Sequence, residues 1–364
     1  MEIRKDMLPV LKPHGDEADV QAVTDVIRSG WWGKGPKVAQ FEKEFAEMVG
    51  AKYAIAVNSA TSGQDLIFKA LDIKDCDVIN PTISFMTTAV IPLFNGCTSN
   101  IVDVDPHTMC IDPQDVKKNL KPNTEVIIAV NQAGVPADID AIREFYDGLI
   151  IEDTAHSCYT PGAGSKGDVA VWSFQAVKTM PCGDGGMVTT NSKELYEKME
   201  PLTWFGISST YSRVKAGSGY SWDYDVEKLG IKCYMTDLQA AICLEQMKKL
   251  PAHLEFRRHV QERYNRELKG YIQPPPHSET VQYYCAKVDS SVRDQLISYL
   301  ADKKIHTSVH FKPLHLFKIL KQDREYPIAD VEWKKLISLP CHNNMTEEDI
   351  DYVIHWVKEF YNEL

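Results

Sequence analysis

The sequence has 364 residues, more than one hydrophobic core usually serves, so its length predicts two domains. Hydrophobic residues make up 44% and charged residues 25% of the chain, proportions typical of a soluble globular protein, and the formal net charge is −11. An acidic chain of this kind is a poor candidate for binding nucleic acid or an anionic membrane, although a local basic pocket for a phosphorylated ligand is compatible with it.

The first part of the sequence predicts helices that lead into a strand. Apolar residues recur at helical spacing over residues 16–30, and a second helix over residues 38–50 ends at a glycine. The run "YAIAV" at residues 53–57 predicts a buried strand. It is followed by "NSATSGQD" and a third helical stretch, "LIFKALDI". The chain therefore begins with helices and enters a sheet near residue 53.

The middle of the sequence alternates short apolar runs with helical or loop segments. The runs are rich in Val and Ile and read CDVIN, SNIVDVD, EVIIAVNQ, GLIIEDTA, VAVWSF and GGMVTT. Such alternation is typical of a mostly parallel sheet with helices on both faces. The last run follows a short Gly-rich turn, and the pattern leaves its pairing direction open.

The character of the sequence changes near Leu250. A long polar helix is predicted over residues 251–271, and the run "PPPH" interrupts the chain after it. A strand and two more helices follow, the last of them capped by Thr346. We therefore predict a large domain over residues 1–249, which includes the N-terminal helical segment, and a small α+β domain over residues 250–364.

Cysteine usage and the N-terminus indicate the cellular compartment. Nine cysteines are scattered without a CxxC pair, which argues against a disulfide framework or a metal site and fits a reducing compartment. The N-terminus lacks the apolar core of a signal peptide, and no run is long and apolar enough to span a bilayer. We expect a cytoplasmic protein without a bound metal.

Two residues at the ends of neighbouring predicted strands suggest the chemistry. Asp153 ends the strand in "LIIEDTA", and Lys178 follows the next strand after a short turn. The carboxyl ends of parallel strands are where open α/β sheets bind ligands. Pyridoxal phosphate requires such a pair, because a lysine forms a Schiff base with its aldehyde and an acid pairs with its pyridine nitrogen. Taken singly, Asp153 is also explained as a helix cap or ion pair, and Lys178 as a solvated loop charge.

A possible phosphate cradle lies earlier in the chain. The segment "NSATSG" at residues 58–63 follows a strand and opens a helix, so its backbone N–H groups and hydroxyls can bind a phosphate at the positive helix end. An ordinary Ser/Thr cap explains the same residues. Ser173, which precedes Lys178, can add another hydroxyl. The cradle, the acid and the lysine together predict a pyridoxal-phosphate site.

Longer blocks of the sequence resemble one enzyme family. The segments "IIEDTAHS" and "GDVAVWSFQAVKTMPCGDGGMVTT" resemble the signature of the DegT/StrS family of sugar aminotransferases, which are fold-type-I pyridoxal-phosphate enzymes. Further blocks match in order over nearly the whole chain, among them "GPKVAQFEKEFAEMVGAKYAIAVNSATSG" and "ISLPCHNNMTEEDIDYVI". The resemblance implies an α/β fold with a mostly parallel mixed sheet between helices, a smaller α+β C-terminal domain, and a homodimer with shared active sites.

The resemblance also implies roles for individual residues. Lys178 would be the Schiff-base lysine and the acid/base for proton transfer, and Asp153 would hold the pyridine nitrogen. His156 would contact the phenolic oxygen of the ring, and Phe85 would stack on the ring. The other implied contacts are those of the cofactor at Ala60, Thr61, Ser62, Ser173 and Tyr234, and those of the substrate at His310 and His315.

Four positions depart from the family pattern. Asn131 and Ala133 stand where many relatives have His and Tyr, and Asp184 stands where Glu is usual. Tyr234 occupies a position from which Asn or Arg often reaches the phosphate in the partner subunit, and its phenol can still donate a hydrogen bond. The changed positions lie where the substrate and the partner subunit are expected, which suggests an atypical substrate.

The implied reaction is an amino transfer from L-glutamate, or glutamine, to a keto sugar carried on a nucleotide. Pyridoxamine phosphate would be the intermediate form of the cofactor, and the product would serve a surface polysaccharide or a glycosylated metabolite. A branch of the family that dehydrates sugars has His at the position of Lys178, so the lysine favours transamination. The alternatives are a sugar dehydratase and a regulatory protein that binds the cofactor without catalysis.

Overall fold

A computed structural model describes residues 1–207 and 225–364 of the protein. Its larger sheet has seven strands in the order β1-β7-β6-β5-β4-β2-β3. The strands are β1 Tyr53–Val57, β2 Asp77–Pro81, β3 Thr98–Val102, β4 Thr124–Val130, β5 Leu149–Asp153, β6 Val169–Ser173 and β7 Gly186–Thr190. Adjacent strands from β3 to β6 pair in parallel, whereas β7 runs antiparallel to both β1 and β6.

The pairing of β7 resolves the direction that the sequence left open. The segment between the two strands folds back on itself as a hairpin, because the Phe174 amide donates to the Gly185 carbonyl at 2.9 Å and the Ala176 amide to the Gly183 carbonyl at 2.7 Å, and this sets β7 antiparallel to β6. Both β6 and β7 are buried along their whole length, which explains their continuous apolar character. The predicted mostly parallel mixed sheet is therefore confirmed.

Helices cover both faces of this sheet. Asp16 caps the first helix in a capping box, and Gly30 ends it in the left-handed conformation with a φ of 74°. The helices in this part of the chain are α1 Glu17–Ser29, α2 Pro36–Val49, α3 Ala60–Ala70, α4 Thr87–Phe94, α5 Pro113–Asn119, α6 Ile139–Arg143 and α7 Lys193–Met199.

The C-terminal part of the chain has its own small sheet and core. Strands β8 and β9 pair antiparallel, and the last helix begins after the predicted cap Thr346. No helix in the described part of the chain is long and apolar enough to cross a membrane. The elements are α8 Asp237–Glu267, β8 Tyr284–Lys287, α9 Arg293–Asp302, α10 Ala329–Glu332, β9 Leu336–Leu339 and α11 Glu347–Glu363.

Helix α8 differs from the prediction for this region. The sequence predicted a helix starting at Pro251, but α8 begins after Thr236 and continues through the proline. A proline inside a helix removes one backbone hydrogen bond. The buried residues of α8 extend on both sides of the proline, from Asp237 to Tyr264, and their packing offsets that loss. Because α8 crosses residue 250, the predicted boundary falls within one continuous helix, and the two-domain division stays a prediction.

Candidate active site

The carboxyl ends of the parallel strands open onto a cleft of about 470 Å³. Asp153 ends β5, Lys178 lies in the turn after β6, and both side chains line this cleft. The Asp153 carboxylate is 7% exposed and accepts two hydrogen bonds, one of 2.8 Å from Gln64 Nε2 and one of 3.0 Å from the Ala155 backbone. The structure thus brings together the acid and the lysine that the sequence paired.

Burial changes the proton affinity of both groups. It raises the pKa of Asp153, against the effects of the Ala155 amide, the Lys178 charge and the Gln64 hydrogen bond. Burial also lowers the pKa of Lys178 to about 8, although the charge on Asp153 favours the ammonium form. A lysine with this pKa is neutral in roughly a tenth of the molecules at pH 7, far more often than a solvated lysine. Lys178 is therefore suited to covalent chemistry and proton transfer.

The predicted phosphate cradle is the start of α3. Ser59 caps the helix by accepting a hydrogen bond of 3.1 Å from the Ser62 amide, and the residues Ser59, Ala60 and Thr61 line the cleft. The first N–H groups of a helix have no partner within it and lie at its positive end, where anions bind. The hydroxyls of Thr61 and Thr87 lie 2.8 Å apart, which fixes the Thr61 side chain.

Two residues of the β6–β7 hairpin lie near the start of α3, which forms the predicted phosphate cradle. Ser173 is buried at the end of β6 and lines the cleft as predicted. Gly186 begins β7, and a Cβ at this position would lie 2.5 Å from the Ala60 nitrogen. The close approach of β7 to the start of α3 therefore requires a glycine.

Aromatic rings form another wall of the cleft. The Phe311 ring lies nearly parallel to that of His156 with centroids 6.0 Å apart, and it lies 6.3 Å from the Phe85 ring. Tyr283 contacts His156 edge-on at 5.3 Å and stacks on His310 at 4.2 Å. Phe85 is 62% exposed, so its ring offers apolar surface at the cleft. The predicted residues Phe85, His156 and His310 all lie in the cleft lining.

His156 contributes a polar atom that lacks a partner. Its side chain is 4% exposed, and within residues 1–207 and 225–364 no hydrogen bond reaches its Nδ1. Burial, with the charges of Lys178 and His310, lowers its pKa well below the usual value, so the ring is neutral at pH 7. A buried nitrogen without a partner costs free energy unless a ligand pairs with it.

Two glutamines that the sequence did not single out support the predicted pair. Gln64 holds Asp153, as described above. Gln282 is 1% exposed and spans the turn that carries Lys178, since its Nε2 donates to the Val177 carbonyl at 2.9 Å and its Oε1 accepts from the Thr179 amide at 3.2 Å. Both glutamines are far from their partners in sequence, so no local motif could indicate these contacts.

Three predicted residues do not line the cleft. The hydroxyl of Ser62 lies 3.0 Å from that of Ser59, and Tyr234 contacts Trp204 edge-on at 5.9 Å. His315 has both ring nitrogens engaged, Nδ1 with the Thr82 hydroxyl at 2.6 Å and Nε2 with Asp330 at 3.1 Å. This arrangement favours a structural role for His315. The predicted ligand contacts of these three residues stay predictions.

The residues present fit pyridoxal phosphate. The start of α3 lies in the cleft lining, where the free amides of a helix N-terminus can bind a phosphate. Asp153 offers a buried acid for the pyridine nitrogen, and the lining also includes His156, whose Nδ1 has no partner among the described residues. Lys178 adds an amine whose pKa burial has lowered. A mixed, mostly parallel sheet with these groups at the carboxyl ends of its strands defines a fold-type-I pyridoxal-phosphate enzyme.

Comparison with known proteins identifies the family. The sequence matches the DegT/DnrJ/EryC1/StrS aminotransferase family over residues 13–358. It is 36% identical over 380 residues to the spore coat polysaccharide biosynthesis protein SpsC of Bacillus subtilis, with 98% of this chain and 97% of that protein covered. The chain belongs to the DegT/DnrJ/EryC1/StrS aminotransferase family, and this confirms the predicted class, a pyridoxal-phosphate-dependent aminotransferase.

Solved structures agree with this assignment. The aminotransferase TlmJ from Streptoalloteichus hindustanus superposes with a TM-score of 0.92 at 29% identity, covering 98% of this chain and 99% of that one. The putative sugar aminotransferase Spr1654 from Streptococcus pneumoniae, in its PMP form, has a TM-score of 0.91 at 27% identity, with 98% and 99% covered. Spr1654 has also been solved in its PLP form. The predicted fold and cofactor are thereby confirmed.

Proposed function

We propose that the protein transfers an amino group from L-glutamate, or glutamine, to a keto sugar that is linked to a nucleotide. The observation that carries the amino transfer is the pair formed by Lys178 and Asp153 in one cleft. The sugar is supported by two relatives, since SpsC is named for spore coat polysaccharide biosynthesis and Spr1654 is a putative sugar aminotransferase. The product then serves a surface polysaccharide or a glycosylated metabolite.

Each residue of the cleft has a separate role in the proposed reaction. When bound, pyridoxal phosphate supplies an aldehyde carbon that carries the amino group and a ring that delocalises electrons. Asp153 holds the pyridine nitrogen, His156 holds the phenolic oxygen, and Phe85 covers the ring. Lys178 holds the cofactor and moves the proton at the substrate carbon, which its lowered pKa allows. Phosphate contacts come from Ala60, Thr61, Ser62 and Ser173.

Two histidines of the cleft are neutral at pH 7. Burial lowers the pKa of His310 to about 4, and it also lowers that of His156, so both rings are uncharged at pH 7. Neutral imidazole rings, whose nitrogens donate or accept hydrogen bonds, suit the hydroxyl groups of a sugar better than a negatively charged group. We assign His310 to sugar contact. His315 stays a candidate for the same role, although both of its ring nitrogens are engaged with Thr82 and Asp330.

We also propose a cytoplasmic homodimer with shared active sites. Phe85 is 62% exposed although it lies in the cleft, and Tyr234 lies outside the lining of its own cleft. A partner subunit that covers this side would bury the Phe85 ring and receive the Tyr234 phenol at its phosphate. Mass measurement in solution tests this part, and a fully active monomer would contradict it.

The amino transfer is tested with purified holoenzyme, glutamate and nucleotide-linked keto-deoxysugars generated in the same vessel. We expect glutamate alone to release at most one equivalent of 2-oxoglutarate per active site, and continuous release only when both substrates are present. Glutamine replaces glutamate in a parallel reaction to identify the donor. If the protein converts glutamate but accepts none of the keto sugars, the sugar assignment is wrong while the aminotransferase assignment stands.

A further inference from the structure

A short buried segment before β8 contacts two loops that carry residues of the cofactor cleft. Residues 280–283 are each at most 3% exposed, and we call them the anchor segment. The Thr280 hydroxyl donates to the Cys158 carbonyl at 2.8 Å, in the loop that follows β5. The Gln282 side chain spans the turn of Lys178, as described above. The anchor segment therefore links the loop after β5 to the lysine turn.

One charged side chain of helix α8 holds the anchor segment. Arg257 is 2% exposed, and its Nη1 donates to the Val281 carbonyl at 3.2 Å and to the Gln282 carbonyl at 2.9 Å. Its Nε donates to Asn343 Oδ1 at 2.8 Å, and Asn343 Nδ2 donates to the His253 carbonyl of the same helix at 2.8 Å. The guanidinium therefore joins α8 to two successive peptide groups of the anchor segment.

The Arg257 guanidinium is buried among neutral groups. Its three hydrogen bonds end on two peptide carbonyls and one side-chain amide. The nearby His253 and His342 are neutral at pH 7, because burial lowers the pKa of each to about 4 and the Arg257 charge acts in the same direction. A guanidinium stays charged in proteins, and a buried charge is costly unless hydrogen bonds compensate it. Because hydrogen bonds from a charged donor are stronger than neutral ones, the two carbonyls are held more firmly than a neutral side chain could hold them.

We propose that Arg257 is a positioning residue for Lys178 and acts through the anchor segment. The guanidinium fixes the Gln282 backbone, and the Gln282 side chain fixes the Val177 carbonyl and the Thr179 amide on either side of the lysine. The lysine amine is thereby kept in its buried position. Arg257 lies outside the lining of the cleft, so it acts through these bonds and not by contact with a ligand. The inference rests on the role of Lys178 in the proposed function.

The pH dependence of cofactor uptake by the apoprotein tests this role. In Arg257→Met the turn is released and the amine gains water, so the midpoint should rise from about pH 8 by about one unit. Uptake at pH 7 should then slow roughly tenfold, because the neutral fraction of the amine falls by that factor. Arg257→Lys retains a charged donor for the two carbonyls, so its shift should be less than half as large.

Gln246→Met is the matched control on the same helix. Gln246 is 1% exposed, and its Nε2 donates to the His14 carbonyl and to Asp19, both at 3.0 Å. The variant loses buried hydrogen bonds that do not involve the anchor segment. It should therefore lower the thermal stability and keep the wild-type midpoint. The same pattern in Arg257→Met would show that Arg257 is purely structural and would overturn the proposal.

A double-mutant cycle with Gln282→Met tests the route of the effect. If Arg257 acts through Gln282, Arg257→Met should add nothing to the midpoint that Gln282→Met has already shifted. Additive shifts would mean that the Arg257 charge acts on the amine at a distance, which contradicts the proposed route. If Arg257→Met does not fold, the cycle is run with Arg257→Lys, whose smaller shift should likewise vanish in the double variant.

The wild-type protein separates this inference from the proposed function. Cofactor uptake requires no sugar, so the test is independent of the sugar assignment. A wild-type midpoint near 10.5 would contradict the proposed role of Lys178 itself. A wild-type midpoint near 8 that Arg257→Met leaves unchanged would leave that role standing and refute only the role of Arg257.

Discussion

Gln64 Nε2 donates a hydrogen bond of 2.8 Å to Oδ2 of Asp153. Gln64 is fully buried on α3, the helix whose first residues form the phosphate cradle. In the proposed site, one helix would therefore position two parts of the cofactor, the phosphate through its N-terminus and the pyridine nitrogen through Asp153, which Gln64 holds. The separation between these parts is set by a single rigid element.

Gln64→Met should weaken catalysis without removing the cofactor. The change keeps the side-chain length but leaves Asp153 with the Ala155 amide as its remaining hydrogen-bond donor. Hydrogen bonds to charged groups contribute about 1.5–3 kcal/mol, so we expect kcat/KM for glutamate to fall roughly tenfold or more. Gln40→Met, on the exposed surface of α2, is the matched control. Equal kinetics for both variants would contradict the positioning role of Gln64.

The pKa of Lys178 predicts how cofactor uptake depends on pH. The neutral amine reacts, and burial lowers its pKa to about 8. The rate at which the apoprotein takes up pyridoxal phosphate should therefore rise with pH and level off above about pH 8. The Asp153 charge favours the ammonium, so Asp153→Asn should move the midpoint to lower pH. A wild-type midpoint near 10.5, the value of an unperturbed lysine, would show that burial does not act on this amine.

Gln282→Met should loosen the turn that carries Lys178. Both hydrogen bonds that fix the neighbouring backbone groups are lost, while the volume of the side chain is nearly kept. We expect kcat to fall roughly tenfold and the pH midpoint of cofactor uptake to shift, because the amine is no longer held in its buried position. Gln295→Met, at an exposed site of α9, serves as the control. An unchanged pH midpoint together with lower thermal stability would indicate a purely structural role.

Gly186→Ala should disturb the phosphate cradle. The new Cβ would lie 2.5 Å from the Ala60 nitrogen, so either β7 or the start of α3 must move. We expect the Kd for pyridoxal phosphate to rise at least tenfold, as measured by titration of the apoprotein. Gly33→Ala is the control, because a Cβ there meets no atom within 4 Å. Equal affinity in the two variants would place the phosphate elsewhere.

The sequence predicted the sheet well because its strands are short, apolar and separated by helices. It failed at α8, where Pro251 suggested a helix start although packing on both sides of the proline keeps the helix continuous. It left the direction of β7 open, since a continuous apolar run carries no information on the orientation of its neighbours.

Some residues of the site could be predicted from their neighbours in sequence, whereas others depend on contacts between distant parts of the chain. Lys178, Asp153 and the α3 cradle follow strands directly, so their place at one edge of the sheet could be predicted from order alone. Gln64 and Gln282 act through contacts that only the folded chain creates. The resemblance implied substrate contacts for both His310 and His315, yet the ring nitrogens of His315 bond to Thr82 and Asp330.

The most direct measurement is the visible absorbance of the purified protein with pyridoxal phosphate, recorded before and after excess glutamate. After unbound cofactor is removed, we predict a yellow band in the wild type that bleaches on addition of glutamate and a cofactor that borohydride fixes covalently to the protein, whereas Lys178→Ala should show no covalent fixation. Lys166→Ala, a lysine paired with Asp140 at the surface, should behave like the wild type. Covalent fixation of the cofactor in Lys178→Ala, or a wild-type band that neither glutamate nor glutamine changes, would contradict amino transfer through Lys178.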